Sequence, residues 1–291
     1  MTANRNNNFA TAPLCTMSNR EFELFSKFIY DEAGIKMPHT KKTMLEARLQ
    51  KRLKALGIDN FKEYAEFVFS DAGHDQEIIH LIDVVTTNKT DFFREPHHFD
   101  FLVRTAIPAM RQKRSAGESS LNPLRIWSAG CSTGEEPYTM TMVLAEYAAQ
   151  TDIRFSVLAT DICTRVLQSA ANGVYTEERT DTIPLPLKKK YLLRSKDRSK
   201  GLVRIIPPLR SMIDFRRVNF MDDHFGIPEK QDIIFCRNVI IYFDKETQAK
   251  LMLKFHRQLQ PGGFLFIGHS ETLNGLGLPF SQVGNTVYRK D

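Results

Sequence analysis

From Arg125 onward the sequence alternates short apolar runs with helical patterns, and few folds accept that rhythm. The runs fall at Arg125–Ala129, Phe155–Thr160, Ile233–Cys236 and Phe264–Gly268, and helical spacing covers stretches such as Pro137–Ala149 and Lys245–Leu259. Strand–helix alternation of this kind predicts a doubly wound α/β sheet of the Rossmann-like type. From about 173 to 217 the rhythm breaks. Only short runs remain there, such as Leu202–Ile206 and Met212–Phe215, interrupted by Pro207-Pro208. This interval reads as a small β-rich insertion at the edge of the sheet.

Everything before Arg125 reads as helix. Ser18 and Glu21 form a capping box, followed by Phe22, Phe25 and Ile29 on one face. Thr40 is placed as the cap of a basic helix in which Leu45, Leu49, Leu53 and Leu56 recur and Gly57 stops the turn. Further helices are expected from Asn60, over about 75–85, and from Pro96 to Arg114. The predicted organisation is a disordered tail (1–17), a helical N-terminal domain (18–114), a linker (115–124) and an α/β domain (125–291) carrying the insertion.

Composition narrows the function. No apolar run approaches the ~20 residues that cross a bilayer, and the Asn-rich N-terminus has no signal-peptide core. A cytoplasmic protein without membrane insertion is expected. Cys15, Cys131, Cys163 and Cys236 form no C-x-x-C pair and no ligand cluster with His, so reduced thiols and no metal are expected. The net charge of +6 is concentrated. Lys41, Lys42, Arg48, Lys51, Arg52 and Lys54 face a single acid, Glu46, in one segment.

The loop after the first apolar run, SAGCSTGEEPYT (Ser128–Thr139), has two readings. Gly130-Cys131-Ser132-Thr133-Gly134 matches the G-x-S-x-G elbow of serine hydrolases, and Asp232 or Asp244 followed by His269 supplies the right chain order. Position argues the other way. The turn after the first strand is where doubly wound sheets hold nucleotides, and an acid ending the second strand, Asp161, suits ribose hydroxyls. No Gly-Lys-Ser/Thr follows, and Glu135-Glu136 would repel phosphate at a helix N-terminus. Carboxylates suit a nucleoside carrying positive charge, and S-adenosylmethionine, with a ribose, an ammonium and a sulfonium, fits.

Four segments carry a family resemblance: TTNKTDFFREPHHF (Thr86–Phe99), WSAGCSTGEEPY (Trp127–Tyr138), ATDI (Ala159–Ile162) and IIFCRNVIIYFD (Ile233–Asp244). Together they resemble the bacterial chemotaxis receptor methyltransferases, in order, from about Ser18 to Lys290. The resemblance implies a class I methyltransferase sheet and S-adenosylmethionine-dependent methyl-ester formation on receptor glutamates. It implies cofactor contacts at Asn88, Thr90, Arg94, Glu136, Asp161, Arg237 and Asn238, with Asn219 and Phe220 lining the adenine and Tyr242 near the methyl group.

A glutamate carboxylate, with a reference pKa of about 4.3, needs no general base at neutral pH. Arg237 is the candidate to hold it, and alignment and desolvation supply the rest. Arg48, Lys51 and Arg52 are the candidate receptor contacts, because methylation segments are glutamate-rich helices. A nucleic-acid methyltransferase is the other claimant for a basic face, but the chain has no aromatics interleaved on it and no base-reading motif. Family members that dock on a receptor's C-terminal tether carry a glycine-containing loop in the insertion. Here that place reads LLRSKDRSKGLVR (Leu192–Arg204), with Gly201 its only glycine, which counts against tether docking.

Overall fold

The computed structural model describes residues 15–115 and 122–291, so the expected tail and linker lie largely outside the described residues. The chain divides into two compact units. One comprises Met37–Val85 with the chain up to Ile29, and the other comprises Tyr30–Lys36 with Thr86–Asp291.

Helix α1 (Asn19–Ala33) starts at the expected capping box. The Glu21 amide donates to Ser18 Oγ at 3.2 Å and the Ser18 amide to Glu21 Oε2 at 2.7 Å, satisfying donors that a helix start leaves unpaired. Helix α2 (Lys42–Leu56) follows a single 3₁₀ turn, His39–Lys41. Thr40 therefore lies inside that turn and is not the cap expected of it; the cap position falls to Lys41, which makes no side-chain bond. Leu45, Leu49 and Leu53 are buried, and Gly57, at φ 68°, ends the helix. Asn60 caps α3 (Phe61–Val68) by accepting from the Glu63 amide at 2.9 Å. Helix α4 (Asp71–Val85) completes the unit.

In the second unit, α5 (His97–Phe101) runs through a π turn (Leu102–Ala106) into α6 (Ile107–Ser115). The sequence placed this segment with the helical domain. Phe99, Leu102, Ala106, Ile107 and Met110 instead share one buried cluster with sheet residues Ile126, Val157, Ile233 and Phe235. Burial against the sheet outweighs continuity along the chain.

The sheet repeats begin with β1 (Leu124–Ala129), α7 (Glu135–Ala148), β2 (Phe155–Asp161) and α8 (Thr164–Asn172). Next come β3 (Val174–Thr176), α9 (Leu185–Tyr191), β4 (Leu192–Arg194) and β5 (Leu202–Ile205). These three strands form a separate antiparallel sheet in the order β3-β5-β4. A short α10 (Pro207–Arg210) leads into β6 (Ile213–Arg217), which pairs parallel with β2. The insertion is thus narrower than expected, since Met212–Phe215 runs into the main sheet. As an edge strand of mixed burial, β6 lacks the continuous apolar run that marks its neighbours.

The chain then builds β7 (Gln231–Cys236), α11 (Lys245–Gln258), β8 (Leu259–Ile267), β9 (Phe280–Gly284) and β10 (Val287–Lys290). The main sheet has seven strands in the order β6-β2-β1-β7-β8-β10-β9. β10 runs antiparallel to both its neighbours, while the pairs from β6 to β8 are parallel. Every residue of β7 is buried. Ile233 and Phe235 join the cluster containing α5, α6 and α7, while Ile234 and Cys236 join Leu251, Met252 and Phe255 of α11. That alternation of faces is the two-residue period of a strand covered on both sides. Strand order reverses between β1 and β7, so ligands are expected outside the carboxyl ends of these strands.

Candidate functional site

Ala129 ends β1, and the next five residues turn back under unusual backbone angles. Gly130, Ser132 and Gly134 have φ of 85°, 50° and 96°. A Cβ on Gly130 would stand 2.5 Å from Val239 Cγ2, and one on Gly134 would stand 2.8 Å from Ala170 Cβ. Both positions therefore require glycine on conformation and on space. The Gly130 and Cys131 amides donate to the Thr160 carbonyl at 2.8 and 2.9 Å. Asp161 accepts from the Ser132 amide at 2.8 Å through one oxygen and from the Cys163 amide at 3.0 Å through the other.

Ser132 is held away from hydrolase chemistry. Its hydroxyl donates to the Asn88 carbonyl at 2.9 Å. The expected partners are engaged elsewhere: Asp232 accepts from the Arg125 amide at 2.7 Å, and Asp244 caps α11 at the Thr247 amide and accepts from Tyr30 Oη. His269 Nδ1 lies 2.9 Å from Glu95 Oε1. The elbow reading is therefore withdrawn, because its serine, acids and histidine belong to separate contacts.

Two acids open α7. Glu135 is buried, accepts from the Thr133 hydroxyl at 2.7 Å and is paired with Arg179. Glu136 accepts from Ser128 Oγ at 2.7 Å and faces Arg237 Nη1 at 3.2 Å. Burial pushes the carboxyl pKa of Glu136 up, against the pull of Arg237 and Ser128. Burial likewise raises that of Glu135, against its Thr133 hydrogen bond and Arg179.

Arg237 is held between two carboxylates. Its side chain is 2% exposed and lies 3.2 Å from Glu95 Oε2 and 3.2 Å from Glu136 Oε2. Nη2 also donates to the Arg94 carbonyl, and the guanidinium lies over the rings of Phe99 and Phe235. Both terminal nitrogens already have protein partners, Nη1 through one of its two N–H groups. Only Nε is without a hydrogen-bond partner among the described residues.

The remaining expected contacts divide. Asn88 Nδ2 donates to Thr86 Oγ1 at 3.2 Å, and its carbonyl holds Ser132. Thr90, Arg94 and Tyr242 are half-buried, and Tyr242 closes the 3₁₀ turn Ile240–Tyr242 after β7. Asn238, at φ 59°, donates its amide to Glu271 at 2.9 Å. Asn219 donates to the Glu32 carbonyl at 2.6 Å and accepts from the Met221 amide. The Phe220 ring is buried edge-on against Phe225 and Phe255 in the cluster beneath α11. The ring is part of the core there. Hydrogen bonds and ion pairs bring together Asn88, Ser132 and Asp161 on one side, and Arg94, Glu95, Glu136, Arg237 and Asn238 on the other.

Sequence reasoning missed four residues. Glu95 joins Arg237 to His269, and Glu271 accepts from the Gly268 and Asn238 amides at 2.6 and 2.9 Å. Tyr175 donates to the Thr133 carbonyl at 2.6 Å, and Arg179 reaches Thr133 Oγ1 at 3.1 Å. Glu95 stands inside a quoted motif, so an acid next to Arg94 was an available signal. The pairing of Tyr175 and Arg179 with the loop has no local pattern. Glu95, His97 and His98 also bring possible metal-ligand atoms within 4.8 Å of one another. The Arg237 guanidinium beside Glu95 disfavours a second cation there.

In the helical unit, Arg52 pairs with buried Glu77, and Arg48 donates to the Val85 carbonyl. Of the three expected receptor contacts, only Lys51 is exposed. No helix among the described residues is long and apolar enough to cross a membrane.

Acids at the end of β2 and at the start of α7, with no lysine in the glycine loop, suit a cationic nucleoside and disfavour a phosphate. Together with the seven-stranded order and its single reversed strand, they define an S-adenosylmethionine-dependent methyltransferase. Two family models match, "CheR methyltransferase, SAM binding domain" over residues 88–289 and "CheR methyltransferase, all-alpha domain" over residues 20–86. The chain belongs to the CheR methyltransferase family. It is 44% identical over 257 residues to the chemotaxis protein methyltransferase of Borreliella burgdorferi, covering 88% of this chain and 89% of that one. It is 38% identical to the chemotaxis protein methyltransferase of Escherichia coli, covering 94% and 91%. It is 37% identical to chemotaxis protein methyltransferase 2 of Pseudomonas aeruginosa, covering 93% of each.

Proposed function

We propose that this protein methyl-esterifies glutamate side chains on the cytoplasmic helices of chemotaxis receptors, serving adaptation. The observation that carries the reading is the pair of carboxylates, Asp161 at the end of β2 and Glu136 in the first turn of α7, in a chain of this family. Bound S-adenosylmethionine supplies a methyl group activated on a sulfonium. An ionised glutamate oxygen takes the methyl carbon as the carbon–sulfur bond breaks, and the electron pair stays with sulfur.

The chain's own groups bind, orient and exclude water. Asp161 would accept from the ribose hydroxyls, and Glu136 would meet the ammonium. Asn88, Thr90, Arg94, Asn219 and Asn238 would border the nucleoside, and Tyr242 would face the methyl group. Arg237 acts by holding Glu136 and Glu95. Since the attacking carboxylate is ionised near neutral pH, no base is required. Lys51 on α2 contributes to receptor contact, and docking on a receptor tether is not part of the reading.

The test is calorimetric titration with S-adenosylhomocysteine, followed by transfer of labelled methyl from S-adenosylmethionine to receptor-bearing membranes. Binding together with alkali-labile label, released as methanol, is the expected result. Label that resists alkali, or that appears on RNA and not on receptors, would overturn it.

A further inference from the structure

Glu95 sits where three site elements meet. Its side chain is 9% exposed and its backbone has φ 54°, a left-handed conformation that non-glycine residues keep only where the surroundings enforce it. Oε2 faces Arg237 Nη2 at 3.2 Å and His98 Nδ1 at 3.3 Å. Oε1 accepts from the His269 amide at 3.2 Å, meets His269 Nδ1 at 2.9 Å and lies 3.5 Å from Asn238 Nδ2. One carboxylate thus ties the segment before α5 to the ends of β7 and β8.

Charge makes the contact more than a brace. Arg237 is nearly fully buried between two carboxylates, and a buried guanidinium must have a counter-ion. If Glu136 were its only partner, the positive charge beside Glu136 would oppose an incoming ammonium. We propose that Glu95 is the positioning residue that neutralises Arg237 and thereby leaves the Glu136 carboxylate available to a cationic ligand group. The proposal rests on the reading of Glu136 given above. Burial alone would raise the Glu95 carboxyl, yet Arg237 and His269 hold it to about 2, so it carries its charge throughout the neutral range. Burial raises Glu136, the more weakly compensated member of the pair.

Glu95→Gln keeps size and one acceptor oxygen while removing the charge. The test compares S-adenosylhomocysteine, which carries the ammonium, with 5′-methylthioadenosine, which lacks it. We expect the variant to bind S-adenosylhomocysteine at least tenfold more weakly and methylthioadenosine within twofold of wild type. The double variant Glu95→Gln/Arg237→Gln should bind S-adenosylhomocysteine more tightly than the single variant, because the uncompensated guanidinium beside Glu136 is gone. Parallel weakening of both ligands, no weakening of either, or a double variant that binds no more tightly than the single one would overturn the proposal. A wild-type protein that binds neither ligand counts against the proposed function itself, which is a distinguishable failure.

Discussion

Arg52 on α2 grips both carboxylate oxygens of Glu77 on α4, at 2.6 and 2.7 Å, and Tyr64 donates to the same carboxylate at 2.9 Å. Glu77 is 2% exposed, so this contact satisfies a buried charge and does not advertise a docking patch. Removing one partner of such a pair leaves the other uncompensated. We expect Arg52→Ala to destabilise the protein by about 3 kcal/mol, read as a lower urea midpoint with its slope unchanged. A midpoint equal to wild type would contradict the structural role.

Lys51, one position away and exposed, should behave oppositely. Lys51→Glu is expected to leave stability within about 0.5 kcal/mol of wild type. It should slow receptor methylation at low salt, with the defect fading as salt rises. A salt-independent defect would locate the lesion elsewhere. Charge reversal at Arg48 and Arg52 together, which α2's basic pattern suggests, would confuse docking with unfolding.

Ser132→Ala removes only a hydroxyl bonded to the Asn88 carbonyl, because Asp161 holds the Ser132 backbone amide. One such bond contributes about 1 kcal/mol. Methyl transfer should fall no more than a few-fold, and fluorophosphonates should leave the protein unlabelled. Stoichiometric labelling at Ser132 would reopen the hydrolase reading.

Asp161→Ala takes away the acceptor for two loop amides as well as the one proposed for the ribose hydroxyls. Affinity for S-adenosylhomocysteine should drop by about 1–3 kcal/mol. Calorimetry at constant pH measures this directly, and unchanged affinity would remove Asp161 from the ligand site.

His98 and Glu95 give acid stability a definite sign. Burial, with help from Arg237 and His97, lowers the His98 pKa from 6.5 to about 4. Between those values the unfolded chain takes up a proton that the folded one refuses, so stability falls as pH drops from about 6.5 towards 4. Glu95 is depressed from 4.5 to about 2, so its contribution is whole above pH 4.5 and disappears as pH falls towards 2. His98→Gln should flatten the upper window by up to one proton, about 1.4 kcal/mol per pH unit. Identical slopes for variant and wild type in that window would show that His98 is not the titrating group.

The sheet's central strands were legible because β1, β2, β7 and β8 are apolar runs with both faces covered. β6 was not, since an edge strand reading Ile213-Asp214-Phe215-Arg216-Arg217 alternates burial and lies beside prolines that suggest a turn. The β9–β10 hairpin was missed for the same reason, because its first strand has no buried residue. At the site, the motif loop and Asp161 could be placed because each falls at a strand end. What Arg237 faces could not be read, since Glu95 and Glu136 approach it from segments about 140 and 100 positions earlier in the sequence. Phe220 shows the same limit: an aromatic beside a site motif looks identical in sequence whether its ring faces ligand or core.

The Ile205 amide donates to the Gly173 carbonyl at 2.9 Å, which joins the point where the chain leaves the sheet's rhythm to the point where it returns. Whatever lies between is a loop with its base sewn shut, anchored inward by Tyr175, Tyr191 and Val203. Its far turn, Lys196 to Gly201, is exposed or half-buried. Length can be gained or lost at that turn for a closure penalty that grows only slowly with size, while the seam and the sheet stay as they are. Lineages are therefore free to resculpt this part of the surface without renegotiating the fold.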